Sequence, residues 1–104
     1  MRVELHPEAR VEAREAARWY DGRQAELGRE LLAELDQVLA RMVDFPESFP
    51  RWRRTGRFGV IRKASLTRFP YLVPYRVEED RLYVLAVAHA SRRPLYWLGR
   101  AKDR

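Results

Sequence analysis

Hydrophobic and polar positions alternate with a period of two at the start of the chain, shift to a helical period, and then return to two. In "RVELH", Val3 and Leu5 share one face, which predicts a short first strand. Pro7 suits the first turn of a helix, where its missing N–H is not needed. Ala9, Ala13, Ala16 and Tyr20 recur at helical spacing and predict a helix from Pro7 to Tyr20, with small side chains facing a neighbour. Asp21-Gly22 interrupts this pattern. A second helix is predicted from Gln24 to Val43. Leu27, Leu31, Leu35, Val38 and Met42 form its core stripe, widened by Leu32 and Leu39, while Glu26, Glu30 and Glu34 lie opposite and are expected to face solvent. "DFPESFP" ends the helix, because a proline and the residue before it both resist helix. The short connection implies an antiparallel helical hairpin.

"RFGVIRKASL" reads as a second strand, with Val60 and Ile61 among arginines. Tyr71, Val73, Tyr75 and Val77 alternate with Leu72, Pro74, Arg76 and Glu78 and predict a third. After the turn "EEDR", Leu82 to Ala88 is apolar on both faces, as expected of a central strand. Regular alternation puts Leu82, Val84, Ala86 and Ala88 on one side and Tyr83, Leu85 and Val87 on the other. Pro74 has no N–H for a ladder, so it must face a side where pairing is incomplete. The expectation is full pairing of the third strand with the fourth, and poor pairing with the second near Pro74. The layout is α+β, in the order β-α-α-β-β-β: a helical hairpin packed on a small, mostly antiparallel sheet in one domain, residues 1–104. The polar tail from Gly99 to Arg104 is expected to fray.

Composition narrows the classes of function. The absence of cysteine removes disulfides and thiolate metal sites. No Glu/Asp/His set has metal-ligand spacing, and "RTGRFG" lacks the spacing and lysine of a phosphate loop. No metal or other cofactor is therefore expected. No apolar run approaches the ~18 residues of a membrane span, and the start lacks a signal-peptide core, so the protein is expected to be soluble and cytoplasmic, with no membrane partner. The net charge is +6 and lies in one half of the chain. Up to Ser48 there are seven arginines against eleven carboxylates; from Phe49 onward there are fourteen cations against four carboxylates. This asymmetry favours an anionic partner, either nucleic acid or an acidic protein.

The end of the fourth strand delivers "AHASRRPLYW". It contains His89, and histidine as a residue type can act as base or acid near neutral pH. Arg92 follows closely, and Arg62 and Arg76 come from neighbouring strands. Fixed arginine charge at a phosphorane suits cleavage of RNA by its own 2′-hydroxyl. Arg93, Tyr96 and Trp97 are the candidates for RNA or target binding, the aromatics by stacking on a base. The bland reading stands beside this one: His89 bonds to nearby backbone, and Arg92 and Arg93 are a solvated turn before Pro94. Lys63 should lie on the side of its strand opposite Arg62. His6 has no partner evident in the sequence and reads as structural.

Three stretches together resemble the RelE/ParE superfamily of bacterial toxins from type II toxin–antitoxin modules, including plasmid stabilisation proteins. "HPEARVEAREAARWYDGR" is similar to the family's first helix and "LGRELLAELDQVLARMVDFPESFP" to its second. "RFPYLVPYRVEEDRLYVLAVAHASRRPLYW" is similar to its closing hairpin. The resemblance implies the same β-α-α-β-β-β layout and a cognate antitoxin whose C-terminal segment wraps the toxin in a hetero-oligomer. It divides on mechanism. RelE-like members are ribosome-dependent mRNA endonucleases; ParE-like members poison DNA gyrase and need no nuclease site. The long second helix and "FPYLVPYR" look more like the ParE side. The alternatives are a RelE-like RNase using His89 with Arg62, Arg76 and Arg92, and a non-toxic basic binding module of the same fold.

Overall fold

The computed structural model describes residues 1–102. β1 (Arg2–Leu5) leads into α1 (Pro7–Arg23) and α2 (Leu27–Asp44). There follow β2 (Arg62–Ser65), β3 (Tyr71–Glu78), β4 (Arg81–Val84) and β5 (Ala88–His89), with 3₁₀ turns at Gly56–Phe58 and Leu98–Lys102. The sheet order is β1-β4-β3-β2, and β5 also pairs with β3. β1 pairs with β4 in parallel; the other ladders are antiparallel. The architecture is thus the expected α+β order β-α-α-β-β-β, with the helical hairpin on one face of the sheet. Among the described residues, no helix is long and apolar enough to cross a membrane.

The helix ends differ from expectation for local reasons. His6 caps α1, its Nδ1 accepting the Glu8 N–H at 3.0 Å. α1 runs through Asp21-Gly22 to Arg23 instead of stopping at Tyr20, because the Asp21 side chain is used elsewhere. Its Oδ1 accepts the Gly28 N–H at 2.7 Å and so caps the next helix from outside it. Glu26, which precedes α2, is left-handed at φ 73° and makes no side-chain cap, so α2 begins at Leu27 and not at Gln24. Glu30 and Glu34 do not simply face solvent. Glu34 accepts from the Thr67 N–H and hydroxyl and the Arg68 N–H, and Glu30 pairs with Arg68 at 2.7 Å. Together they tie the β2–β3 loop to α2.

Both faces of the sheet carry a core. The first lies under the helices: Leu31, Leu35, Val38 and Met42 meet Val73, Tyr75, Leu82, Val84 and Val87. The second lies on the opposite face, where Ile61, Tyr83, Leu85, Ala86 and Ala88 meet Trp97 and Ala101. Trp52, Phe58 and Leu98 pack around it. The expected frayed tail is therefore ordered through Lys102, because Ala101 is buried and Leu98–Lys102 closes the second core. Asp103 and Arg104 lie outside the described residues.

The fourth strand is broken, and Pro74 shows why. Lys63 lies opposite Pro74 but donates its N–H to Pro50 O, away from β3. The Lys63–Pro74 pair is therefore a non-hydrogen-bonded pair of an unbroken β2–β3 ladder, and the polar backbone of Pro74 faces the fourth strand. There the Leu85 N–H donates to Pro74 O at 2.9 Å, with no N–H to return. Tyr75 pairs with Val84 and Leu72 with Ala88, so Val73 and Pro74 oppose three residues, Leu85 to Val87. This is a β-bulge. The pairing gap thus lies on the β4 side, the reverse of the expectation, since pattern alone does not fix which neighbour a given N–H faces. The extra residue also resets the alternation. Leu85 and Ala86 both join the second core, and Val87 turns to the helices.

Candidate functional site

The bulge leaves backbone groups that the sheet does not satisfy, and two side chains supply the partners. Glu12 on α1 accepts the Val87 N–H at 3.0 Å. Arg100 from the closing 3₁₀ turn donates to Leu85 O at 3.0 Å. The same two side chains pair with each other through the two terminal guanidinium nitrogens of Arg100, at 2.9 and 3.1 Å. Tyr96 donates its hydroxyl to Glu12 Oε2 at 2.7 Å. Arg92 lies 3.8 Å above the Tyr96 ring and 3.9 Å from the same carboxylate. Glu12 is thus a hub joining the first helix, the bulge and the closing segment. A helical acid is ordinarily expected to be solvated, but one signal against it stands in the sequence: Glu12 lies three residues after Ala9 and four before Ala16, at the margin of the buried face.

Beside this hub opens a cavity of about 320 Å³. α1 contributes Glu15, Trp19 and Tyr20; the strands contribute Tyr71 and His89; Arg92 and Tyr96 close it. Of the expected site residues, the fold brings His89, Arg92 and Tyr96 together here. His89 Nδ1 accepts the Ser91 N–H at 3.1 Å, with Ser91 Oγ 2.8 Å away, and the ring stands edge-on to Tyr71. An Nδ1 that accepts a backbone N–H leaves the proton of neutral imidazole on Nε2. In this geometry the free nitrogen is a donor and has no lone pair with which to act as a base.

The other expected residues go elsewhere. Arg62 shares a face with Tyr75, under the helices, and donates to Phe49 O at 2.8 Å. Arg76 lies on the opposite face and donates to Phe58 O, Ala101 O and Glu78. It thereby ties both 3₁₀ turns to β3. Arg93 is exposed on the turn. Trp97, expected to bind a target, is 1% exposed and packs edge-on against Trp52, so it is core. Among the described residues, no group of three or more His, Asp or Glu side chains could hold a metal ion.

Burial at the hub has a consequence at high pH. The Tyr96 phenol is pushed up to about 12, first by burial and then by its bond to Glu12. Tyr75, which donates to Pro46 O, is also raised to about 12 by burial, against a smaller opposing pull from Arg62. Below pH 10 these phenols are neutral in both the folded and the unfolded chain. Between pH 10 and 12 the unfolded chain gives up their protons while the folded one retains them, so stability falls across that window. Spectrophotometric titration should show a late wave of tyrosinate near pH 12, which Tyr96→Phe shrinks. Simultaneous ionisation of all five tyrosines near pH 10 would contradict this account.

The family model for the ParE toxin of the parDE type II toxin–antitoxin system matches residues 3–94. The chain belongs to the ParE toxin family of type II toxin–antitoxin systems, and that membership implies an antitoxin partner. A solved structure, the chromosomal ParDE toxin–antitoxin system from P. aeruginosa, has a similar fold. Its TM-score is 0.61 at 14% identity, over 88% of this chain and 97% of that one. Among curated proteins, none matches this chain.

Proposed function

We propose that this protein is a toxin that inhibits DNA gyrase by binding it, and that an acidic segment of its cognate antitoxin holds it off. Its membership of the ParE toxin family carries the reading. The separation of Arg62 and Arg76 on opposite sheet faces supports it against a ribosome-dependent nuclease, because neither arginine converges with His89 on one phosphate. The basic half of the chain suits an acidic partner whose segment folds as it binds.

Supercoiling of relaxed plasmid by gyrase, run beside translation-coupled mRNA cleavage, separates the two mechanisms. The purified protein is expected to block supercoiling and to leave mRNA intact. Cleaved mRNA with unimpaired gyrase would overturn the reading. His89→Ala removes a local bond to Ser91 and an edge-on contact with Tyr71. It should change gyrase inhibition by no more than about twofold, the scale of a surface substitution. Loss of toxicity with the melting temperature unchanged would instead make His89 part of the working site.

A further inference from the structure

From Phe49 to Val77 the sequence carries eight cations and no carboxylate. Three of the eight are used internally: Arg62 by a carbonyl, Arg68 by Glu30, and Arg76 by two carbonyls and Glu78. The remaining five are Arg51, Arg53, Arg54, Arg57 and Lys63. Among the described residues, no carboxylate lies within ion-pair distance of any of them. The four arginines are exposed. So many like charges on one short segment repel one another, which disfavours the compact state unless a polyanion neutralises them.

The segment is also held in shape. Trp52 N–H donates to Ile61 O and Lys63 N–H to Pro50 O, so the two ends of the loop lie side by side at the outer edge of β2. At the tip, the Thr55 hydroxyl donates to Gly59 O at 2.7 Å and the Phe58 N–H to Thr55 O at 3.0 Å. Arg54 is held in the left-handed region at φ 65°, a conformation unfavourable for a non-glycine residue. Strain of this kind persists where the surroundings over-determine it. Trp52 and Phe58 pack into the second core. Their rings are taken up by cations of the loop itself, Lys63 over Trp52 at 4.7 Å and Arg57 over Phe58 at 5.4 Å, which leaves charge as the main means of recognition.

We propose that the loop from Arg51 to Lys63 is a docking surface for the phosphate backbone of duplex DNA. Arginine forks match phosphate oxygens, and phosphate contacts need no apolar pocket or base-reading helix. Binding of this kind is independent of sequence and steeply dependent on salt, with a slope of log K on log salt of about −0.9 per phosphate neutralised. Four or five contacts give a slope of about −4, hence a loss of about 200-fold between 50 and 200 mM salt.

The test is anisotropy of a labelled duplex with the full-length protein at those two salt concentrations, without gyrase, so its result is independent of the supercoiling assay. The loop variant R51Q/R53Q/R54Q/R57Q is compared with R10Q/R14Q/R18Q/R29Q, which removes the same charge from exposed helical positions. The loop variant is expected to lose about 100-fold in affinity at low salt and to flatten the slope by about 3.6, while the helix variant stays within about threefold of the parent. Single R53Q and R54Q changes should each lower the slope by about 1, which keeps the test decisive should the quadruple variant fold poorly. Equal losses in both quadruple variants would reduce the effect to net charge and overturn the proposal. Tighter binding to polyglutamate than to the duplex at the same salt would also overturn it, by making the loop a site for an acidic protein.

Discussion

Glu12→Ala is expected to destabilise the protein by about 3–5 kcal/mol, the range for removing one partner of a buried ion pair. That is a large share of the ~5–15 kcal/mol typical of a domain. Exposure decides the size. The Glu12 and Arg100 side chains are 13% and 17% exposed, against 63% and 82% for Glu26 and Arg29, whose ion pair belongs to the surface class worth about 0–1 kcal/mol. Removing the Glu12 carboxylate leaves a half-enclosed guanidinium, the Val87 N–H and the Tyr96 hydroxyl without their acceptor. Each unmet polar group adds a desolvation penalty of about 1–3 kcal/mol where water cannot enter. Denaturant unfolding reads the loss directly. The double change Glu12→Leu with Arg100→Met should recover part of it, since replacing both charges leaves no orphan ion. A loss below about 1 kcal/mol in Glu12→Ala would mean that water reaches the hub and serves these groups instead.

The hub also explains which parts of this fold were legible in the sequence. The helices and the third strand were, because their apolar residues recur at 3.6 or 2 and nothing in the local chemistry disputes it. The family resemblance was legible for the same reason, since it rests on those three stretches. The second core was not. Trp52, Phe58, Trp97, Leu98 and Ala101 lie in turns and irregular chain, where burial follows no period. The bulge was half legible. Pro74 announced a missing donor, but which neighbour that donor would have faced depends on the parity of the register. Once the bulge is placed, the rest follows from counting hydrogen bonds. Without an N–H from Pro74, Leu85 O takes Arg100, and the Val87 N–H takes Glu12. The candidate site residues come together only in part. His89, Arg92 and Tyr96 are close in sequence and stay close in space, whereas Arg62 and Arg76 sit on strands where facing is set by register.

Gly28→Ala is the second large effect, and two principles disagree about its sign. Alanine is the best helix former and glycine costs about 1 kcal/mol more in a helix interior, so propensity alone predicts stabilisation. Packing predicts the reverse. α1 and α2 approach so closely at Gly28 that an added Cβ would stand 2.2 Å from the Ala17 carbonyl oxygen and 2.8 Å from its carbon. Both atoms are backbone, so relief requires the helices to part. Parting them also pulls the Gly28 N–H from Asp21 Oδ1, the bond that starts α2. Overpacking a close contact costs typically 1–3 kcal/mol and occasionally more, and here no flexible side chain can yield. The upper end of that range, about 3 kcal/mol, less the propensity gain of about 1 kcal/mol, leaves an expected net loss of about 2 kcal/mol. Gly22, in the last turn of α1, is the control, because an added Cβ there meets nothing within 4 Å. Gly22→Ala should be neutral or stabilise by up to about 1 kcal/mol. Two identical substitutions, six residues apart on one hairpin, are thus expected to shift the melting temperature in opposite directions. A rise in both would mean that the helices separate at little cost, and the close approach at Gly28 would not be what positions α1, and with it Glu12, over the bulge.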